Sequence, residues 1–222
     1  MNPERFSRIN RVLTRRQPDL TVLMERVHKR HNFSAIVRNC DAVGILAAHA
    51  VFPEKGLELS NHTSAGTSKW VRVRQHPNVE EGVAHLHEEG FRILAAHPSR
   101  QAVDFRDVDY TEKVAIMVGA ELDGISPKGL SLADGLVMIP MAGMVRSLNV
   151  SVATALILFE ALRQRREAGM YGESRLSPEE FERHLFEWCH PELADFFRRK
   201  GLPYPPLSEN GEALVDPGFN LG

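Results

Sequence analysis

The sequence of 222 residues is poor in cysteine and has no long apolar run. Cys40 and Cys189 form no CxxC pair and have no histidine at metal-ligand spacing, so we expect neither a disulfide framework nor a structural zinc site. Both are predicted to be free thiols. No apolar stretch approaches the roughly 20 residues that cross a bilayer, and the polar N-terminus lacks an apolar signal segment. These absences predict a cytoplasmic protein without membrane contact.

Several common catalytic signatures are missing as well. No GxGxxG follows a predicted strand and no GxxxxGK[ST] occurs, which excludes the usual dinucleotide and nucleoside triphosphate loops. No GxSxG elbow is present for an acyl hydrolase. His85 and His87 are two residues apart on a predicted helix and point to different faces, so a shared metal ion is not expected.

Positive and negative charges nearly balance in total, but they are distributed unevenly along the chain. The net charge of −2 argues against a nucleic-acid partner. Residues 1–40, however, carry nine Lys and Arg against three Asp and Glu, a net charge of +6, and the remaining residues carry −8. Such asymmetry indicates a polyanionic partner, although arginines that merely solvate a surface helix would explain it too.

The first basic segment reads as an amphipathic helix. Asn2 followed by Pro3 is a typical helix start, and the pattern continues to about Arg16. Because successive residues of a helix are rotated by 100° about its axis, Phe6, Ile9 and Leu13 lie on one apolar stripe. The arginines lie on a separate arc of the helix surface: Arg5, Arg8, Arg11, Arg15 and Arg16.

The middle of the chain alternates short apolar strands with helices. Strands are predicted at 21–27, 45–52, 70–75, 91–96, 114–118 and 136–140. Helices are predicted at about 33–43, 79–89, 129–133 and 149–168, and two more follow Ser177 and Pro191. This alternation predicts an α/β fold, a parallel sheet covered by helices, with ligands at the carboxyl ends of the strands. The tail from Leu202 has neither the helical nor the strand periodicity of apolar residues.

Three loops at strand ends carry unusual polar residues. In the first, residues 31–41, Arg38 lies beside Ile36 and Val37 and is expected to be partly buried, so that it needs an anion. An ion pair with Asp41 or with a distant carboxylate would explain it equally well. In the second, residues 118–126, glycines flank Glu121, although a plain tight turn has the same pattern.

The third loop, residues 139–153, places Ser147 and Asn149 before the long helix, where helix capping alone would explain them. Taken together and in this order, the three loops resemble the three motifs of the SpoU family of RNA ribose 2′-O-methyltransferases, within the SPOUT superfamily. Further segments resemble the TrmH-type bacterial tRNA (guanosine-2′-O-) enzymes of that family: residues 1–3, 15–22, 103–106, 168–171 and 198–205. The resemblance covers nearly the whole chain.

The resemblance implies a fold and a reaction that composition could not show. It implies a trefoil knot, a homodimer, S-adenosylmethionine as cofactor, and the 2′-hydroxyl of guanosine 18 in the tRNA D-loop as substrate. It divides the chain into a basic helical extension at 1–20, a catalytic domain at 21–168, and a helical extension with a tail at 169–222. Another ribose in tRNA or rRNA, or a non-catalytic RNA-binding relative, is the alternative.

The same resemblance implies roles for individual residues. The catalytic set is Arg38, Asn32, Glu121, Ser147 and Asn149. The cofactor set is Ala96, His97, Gly119, Ala120, Glu121, Ile139, Gly143 and Leu148. The RNA-binding set is Arg8, Arg11, Arg16, His31, Arg166, Arg198, Arg199 and Lys200. Ala120 departs from the family, which usually has Asn or Gln there, so a side-chain contact to the cofactor is expected to be lost.

Overall fold

The computed structural model describes residues 2–52 and 69–215. The chain divides into two compact units. The larger unit is Gln17–Met170, and the smaller unit combines the residues up to Arg16 with those from Tyr171 onward. The segments at the two ends of the chain therefore belong to one unit.

A parallel sheet of seven strands forms the centre of the larger unit. The strands are β1 (Leu20–Glu25), β2 (Ala47–Val51), β3 (Arg72–His76), β4 (Arg92–Ala96), β5 (Val103–Asp104), β6 (Val114–Val118) and β7 (Gly135–Met138). Their order across the sheet is β3-β2-β1-β6-β4-β7-β5. Every residue of β1 and β6 is buried, which is typical of central strands covered on both faces.

Among the described residues of this unit, four helices follow or link the strands. They are α2 (Arg30–Val43), α3 (Val79–Glu88), α4 (Pro127–Leu132) and α5 (Val150–Glu167). Gly44 ends α2 with a φ of 88°, a left-handed conformation that glycine adopts without a Cβ penalty. The buried side chains of α3 pack with the sheet in one apolar core that includes Leu23, Phe91 and Met117.

The fold class and the six predicted strands are confirmed, with shifts of one or two residues at most ends. β5 was not predicted, because two residues are too few for a periodic signal. The trefoil knot that the resemblance implies stays a prediction. Within the described residues, no helix is both long and apolar enough to cross a membrane.

A buried arginine joins α5 to two segments of the larger unit, residues 17–19 and 110–112. Arg165 is 0% exposed, and its guanidinium donates to the Asp19 carboxylate and to the Gln17 side chain. It also donates to backbone carbonyls of Asp19, Tyr110 and Glu112, at 2.8 to 3.1 Å. No pattern in the sequence predicted the burial of Arg165, so this network was missed.

The part of the smaller unit that the structure describes contains three helices: α1 (Pro3–Thr14), α6 (Pro178–Cys189) and α7 (Pro191–Lys200). Ile9 and Leu13 are buried, which confirms the apolar stripe of α1. Ser177 and Glu180 form a capping box at the start of α6. Cys189 in this unit and Cys40 in the larger one are free and buried, as predicted.

The structure corrects the position of Arg16. It is 0% exposed, and its guanidinium lies over the Trp188 ring, 5.0 Å from the centroid. α1 ends at Thr14, so Arg16 follows a turn and does not continue the exposed arginine arc. A cation over an indole face is stabilised by the ring quadrupole. Arg16 is therefore a packing residue of the smaller unit and is not available on its surface.

Three histidines pack together between β2, β3 and α3. The ring nitrogens of His49 and His76 are 2.9 Å apart, and the centroid of His85 lies 5.5 Å or less from both rings. Burial and the nearby positive groups of His76, Arg74 and His85 lower the pKa of His49 to about 3. Glu81 and Glu89 face the cluster and partly oppose the lowered pKa of His76.

We expect acid to destabilise the larger unit through His49. The unfolded chain takes up a proton near pH 6.5, whereas the folded chain resists it to about pH 3. The free energy of unfolding is therefore highest above pH 6.5 and falls as the pH drops toward 3, by about 1.4 kcal/mol for each pH unit at most. Urea titrations across this range check it. His49→Gln should make the dependence shallower, and an unchanged slope would contradict the assignment.

Candidate active site

A pocket of about 530 Å³ opens at the carboxyl ends of three neighbouring strands. Its walls come from residues 96–98 after β4, 118–125 after β6 and 137–139 after β7, and from 146–150 at the start of α5. This is the edge at which parallel α/β sheets bind ligands. The sheet order brings these segments together, because β6, β4 and β7 are adjacent.

The segment after β6 is a tight turn that brings backbone close to backbone. The amides and carbonyls of Ala120 and Gly124 pair at 2.9 to 3.0 Å. A Cβ on Gly119 would overlap the backbone of Gly124 and Ile125, so glycine is required there. The turn interpretation was therefore right, and the turn also presents Glu121 to the pocket.

Glu121 belongs to a chain of side chains that joins three distant parts of the sequence. The Asn32 amide donates to the Glu121 carboxylate at 2.6 Å, and the Asn149 amide donates to the Asn32 side-chain carbonyl at 3.1 Å. Asn32 is buried in the first turn of α2, whereas Glu121 and Asn149 line the pocket. Each group of the chain therefore fixes the orientation of the next.

The surroundings of Glu121 favour its ionised form. Burial acts to raise the pKa of the carboxyl group, but the hydrogen bond from Asn32, backbone amides and the charge of Lys29 outweigh it and lower the pKa. The carboxylate also lies beside the N-terminus of α2, where the helix dipole stabilises an anion. Glu121 is therefore a hydrogen-bond acceptor at neutral pH and a poor proton donor.

Asn149 has two functions in the structure. As the N-cap of α5 it accepts hydrogen bonds from the Ser151 amide at 2.9 Å and hydroxyl at 2.7 Å, so the capping interpretation was correct. Its amide nitrogen remains available for Asn32. Ser147 is exposed and lines the pocket two residues earlier. A second contact, from the Asn39 amide to the Ser151 carbonyl at 2.9 Å, also holds α2 to the start of α5.

The structure corrects the predicted burial of Arg38. It is exposed, and it forms neither a hydrogen bond nor an ion pair with any described residue, Asp41 included. At 100° per residue, Arg38 lies nearly opposite the centre of the face by which α2 is buried. That face consists of Asn32, Phe33, Ile36, Val37, Cys40 and Val43. The apolar neighbours in sequence therefore point away from Arg38, and its charge faces solvent.

Most of the remaining predicted site residues are at the pocket. The cofactor residues that line it are Ala96, His97, Gly119, Ala120, Glu121, Ile139 and Leu148. Gly143 and Arg38 are not among the described residues that line it. Lys29 and Arg146 do line it and were missed, although both lie beside predicted motif residues. No described group of His, Cys, Asp and Glu is arranged to hold a metal ion.

The predicted RNA-binding residues, Arg16 excepted, are exposed. In the larger unit these are His31 and Arg166. In the smaller unit they are Arg8 and Arg11 on α1, and Arg198, Arg199 and Lys200 at the end of α7. Arg198 is paired with Asp195 at 2.7 Å, and Lys200 lies over the Phe196 ring.

The sheet and its pocket define a parallel α/β protein with a ligand site built from strand-end loops. The chain belongs to the SpoU rRNA methylase family, whose model matches residues 19–159. A second model, the C-terminal region of SpoU rRNA methylases, matches residues 163–216.

Relatives with assigned activities are similar over most of the chain. The tRNA (guanosine(18)-2′-O)-methyltransferase of Escherichia coli K12 is 52% identical over 218 residues, 97% of this chain and 95% of that protein. The crystal structure of the A. aeolicus TrmH/SpoU tRNA modifying enzyme is 43% identical, with a TM-score of 0.78, covering 86% of this chain and 97% of that one.

A more distant solved structure contains a cofactor. The AdoMet-bound rRNA methyltransferase from Sinorhizobium meliloti is 28% identical, with a TM-score of 0.60. The similarity covers 71% of this chain and 60% of that one.

Proposed function

We propose that this protein transfers the methyl group of S-adenosylmethionine to the ribose 2′-oxygen of guanosine 18 in tRNA. The observation that carries the proposal is the pocket, in which three sequence-distant loops converge beside the Asn32–Glu121–Asn149 hydrogen-bond chain. The activity named for the E. coli relative supports the substrate, because the similarity covers nearly all of both chains.

The pocket suits this cofactor in size and chemistry. Its volume of about 530 Å³ lies in the range of small-molecule sites, and its walls mix apolar strand ends with the backbone of the 119–124 turn. Such walls provide backbone hydrogen bonds without a dense charge. Ala96, Gly119, Ile139 and Leu148 would hold the cofactor, which supplies a methyl group activated by a sulfonium.

Arg38 would act on the hydroxyl that attacks. A ribose hydroxyl is scarcely ionised at neutral pH, so the site must stabilise the alkoxide that develops on its oxygen. Arginine side chains stay protonated in proteins and are poor proton acceptors, whereas their charge stabilises an anion well. We assign Arg38 this electrostatic role, with an RNA phosphate or a water accepting the proton. Asn32, held by Glu121, would position the start of α2.

The exposed arginines of α1 would contact the tRNA backbone. We expect Arg8→Ala with Arg11→Ala to weaken tRNA binding and to reduce the slope of log affinity against log salt by about 0.7 to 0.9 for each lost phosphate contact. Filter binding at several salt concentrations measures this. Glu4→Ala on the same helix is the control, because it removes a negative charge where the other two variants remove positive ones. An unchanged slope would mean that these arginines only solvate the surface.

A second copy of the chain would cover an apolar face of α5. Val152, Leu156 and Phe159 lie on one side of the helix and are 41% to 49% exposed. We propose that this face is part of a homodimer interface, in a cytoplasmic enzyme. Sedimentation should give twice the chain mass of 24.9 kDa, and Phe159→Asp should give the monomer. A monomeric wild-type protein would contradict the proposal.

The decisive experiment is a methyl-transfer assay on an unmodified tRNA transcript with radiolabelled S-adenosylmethionine. We expect one methyl group per tRNA, mapped to the ribose of guanosine 18, and none with adenosine at position 18. Methylation at another nucleotide would overturn the substrate while leaving the chemistry. Titration calorimetry with the cofactor alone distinguishes a methyltransferase from a non-catalytic relative, because the latter would show no specific binding of S-adenosylmethionine.

A further inference from the structure

Arg146 is a cation at the pocket to which no role has been given. It lines the pocket next to Ser147, it is exposed, and it makes no hydrogen bond or ion pair with the residues that the structure describes. Residues 142–147 are all exposed, and Arg146 and Ser147 of this segment line the pocket, so Arg146 lies where the pocket opens to solvent. The position of Arg146 therefore leaves its charge open to an anion from solution.

Lys29 is the other lysine or arginine among the described lining residues, and its charge is balanced. It faces Glu121, whose ionised form it helps to stabilise. The Glu121 carboxylate is also held by Asn32, so the pair is fixed within the site. Of these two cations, Arg146 alone has no carboxylate beside it, and it is the one that an incoming anion can neutralise.

The chemistry of the substrate brings such an anion to this place. A 2′-hydroxyl that enters the pocket is attached to a ribose whose neighbouring 3′-oxygen carries a phosphodiester group. That phosphate must therefore come to rest at the mouth when the hydroxyl is in place. A guanidinium binds phosphate through two parallel N–H donors, which fixes orientation as well as distance.

We propose that Arg146 binds the phosphate on the 3′ side of the methylated ribose and so positions the 2′-oxygen. The proposal rests on the 2′-O-methylation proposed above. The carboxylate of the cofactor is the other anion that could reach Arg146. The exposed position favours the RNA, because the residues proposed to hold the cofactor, Ala96, Gly119, Ile139 and Leu148, lie outside the exposed 142–147 segment.

The test compares three variants in steady-state kinetics and binding. Arg146→Gln should raise the KM for tRNA on the order of tenfold at low salt and reduce the salt slope by about 0.7 to 0.9. The Kd for S-adenosylmethionine should not change, and Arg146→Lys should recover part of the loss. Arg92→Gln is the matched control, since Arg92 is exposed at the start of β4, at the opposite edge of the sheet.

A tRNA with a neutral methylphosphonate on the 3′ side of guanosine 18 tests the contact directly. The wild-type protein should lose affinity for it, whereas Arg146→Gln should bind it as well as it binds ordinary tRNA. Equal losses in both proteins would overturn the proposal, as would weaker cofactor binding in Arg146→Gln with an unchanged KM for tRNA. Wild-type methylation of guanosine 18 is measured first, so that failure of the reaction is distinguished from failure of this contact.

Discussion

Arg165→Met should lower the free energy of unfolding by roughly 3–5 kcal/mol, the cost of breaking a buried ion pair by removing one partner. The guanidinium is fully buried and donates to two side chains and three backbone carbonyls. Without it, Asp19 keeps a charge that is mostly removed from water, and carbonyls of Tyr110 and Glu112 lose a donor. Urea unfolding followed by circular dichroism measures the change.

Two further variants sharpen this test. Arg165→Lys keeps the charge but not the planar fork, so we expect it to recover less than half of the loss. Arg163→Met, two residues away, removes an arginine that is 53% exposed and pairs only with Glu160 and Glu167 among the described residues. Exposed pairs contribute at most about 1 kcal/mol. Similar losses for Arg163→Met and Arg165→Met would show that the buried network does not hold the unit together.

Arg38→Ala should lower kcat by about 10²- to 10³-fold, the cost of removing one donor that stabilises a developing oxyanion. Arg38 is exposed and lies outside the described pocket lining, so the Kd for S-adenosylmethionine and the unfolding free energy should stay near their wild-type values. Single-turnover methyl transfer, calorimetry and urea unfolding measure the three quantities. A loss of cofactor binding equal to the loss of rate would contradict the role.

Arg38→Lys distinguishes electrostatic stabilisation from general-base catalysis. If Arg38 only stabilises charge, the pH–rate profile keeps its shape and its plateau falls. If Arg38 accepts the proton, the profile acquires an ionisation that shifts with the substituted side chain. We expect the first result, because guanidinium does not give up its proton near neutral pH.

Local patterns in the sequence predicted much of the candidate site. The glycines around Glu121 and the polar residues before the long helix marked two walls of the pocket, because a strand-end loop must turn sharply and a helix start needs a cap. Lys29 and Arg146 could have been found by the same reasoning, since both lie within three residues of motif positions. The pairing of Asn32 with Glu121, 89 residues apart, had no local signal.

Burial of the arginines was where sequence reasoning failed, in both directions. Arg38 was expected to be partly buried because apolar residues precede it, but helical geometry turns it to solvent. Arg16 was expected on an exposed arc, but α1 ends two residues earlier and Trp188 covers it. A charge pattern shows which residues are cationic. It does not show which side chains will pack against them in the folded chain.

Local sequence patterns were enough to predict the alternation of strands and helices, the basic N-terminal segment and the loops that form the pocket, since each depends on periodicity, capping or turn residues within a few positions. Which cations are buried depends on long-range contacts instead. The side chains that neutralise Arg165 or cover Arg16 come from segments about 150 to 170 residues away along the chain. Packing within each unit brings these segments together, and neighbouring residues carry no record of it.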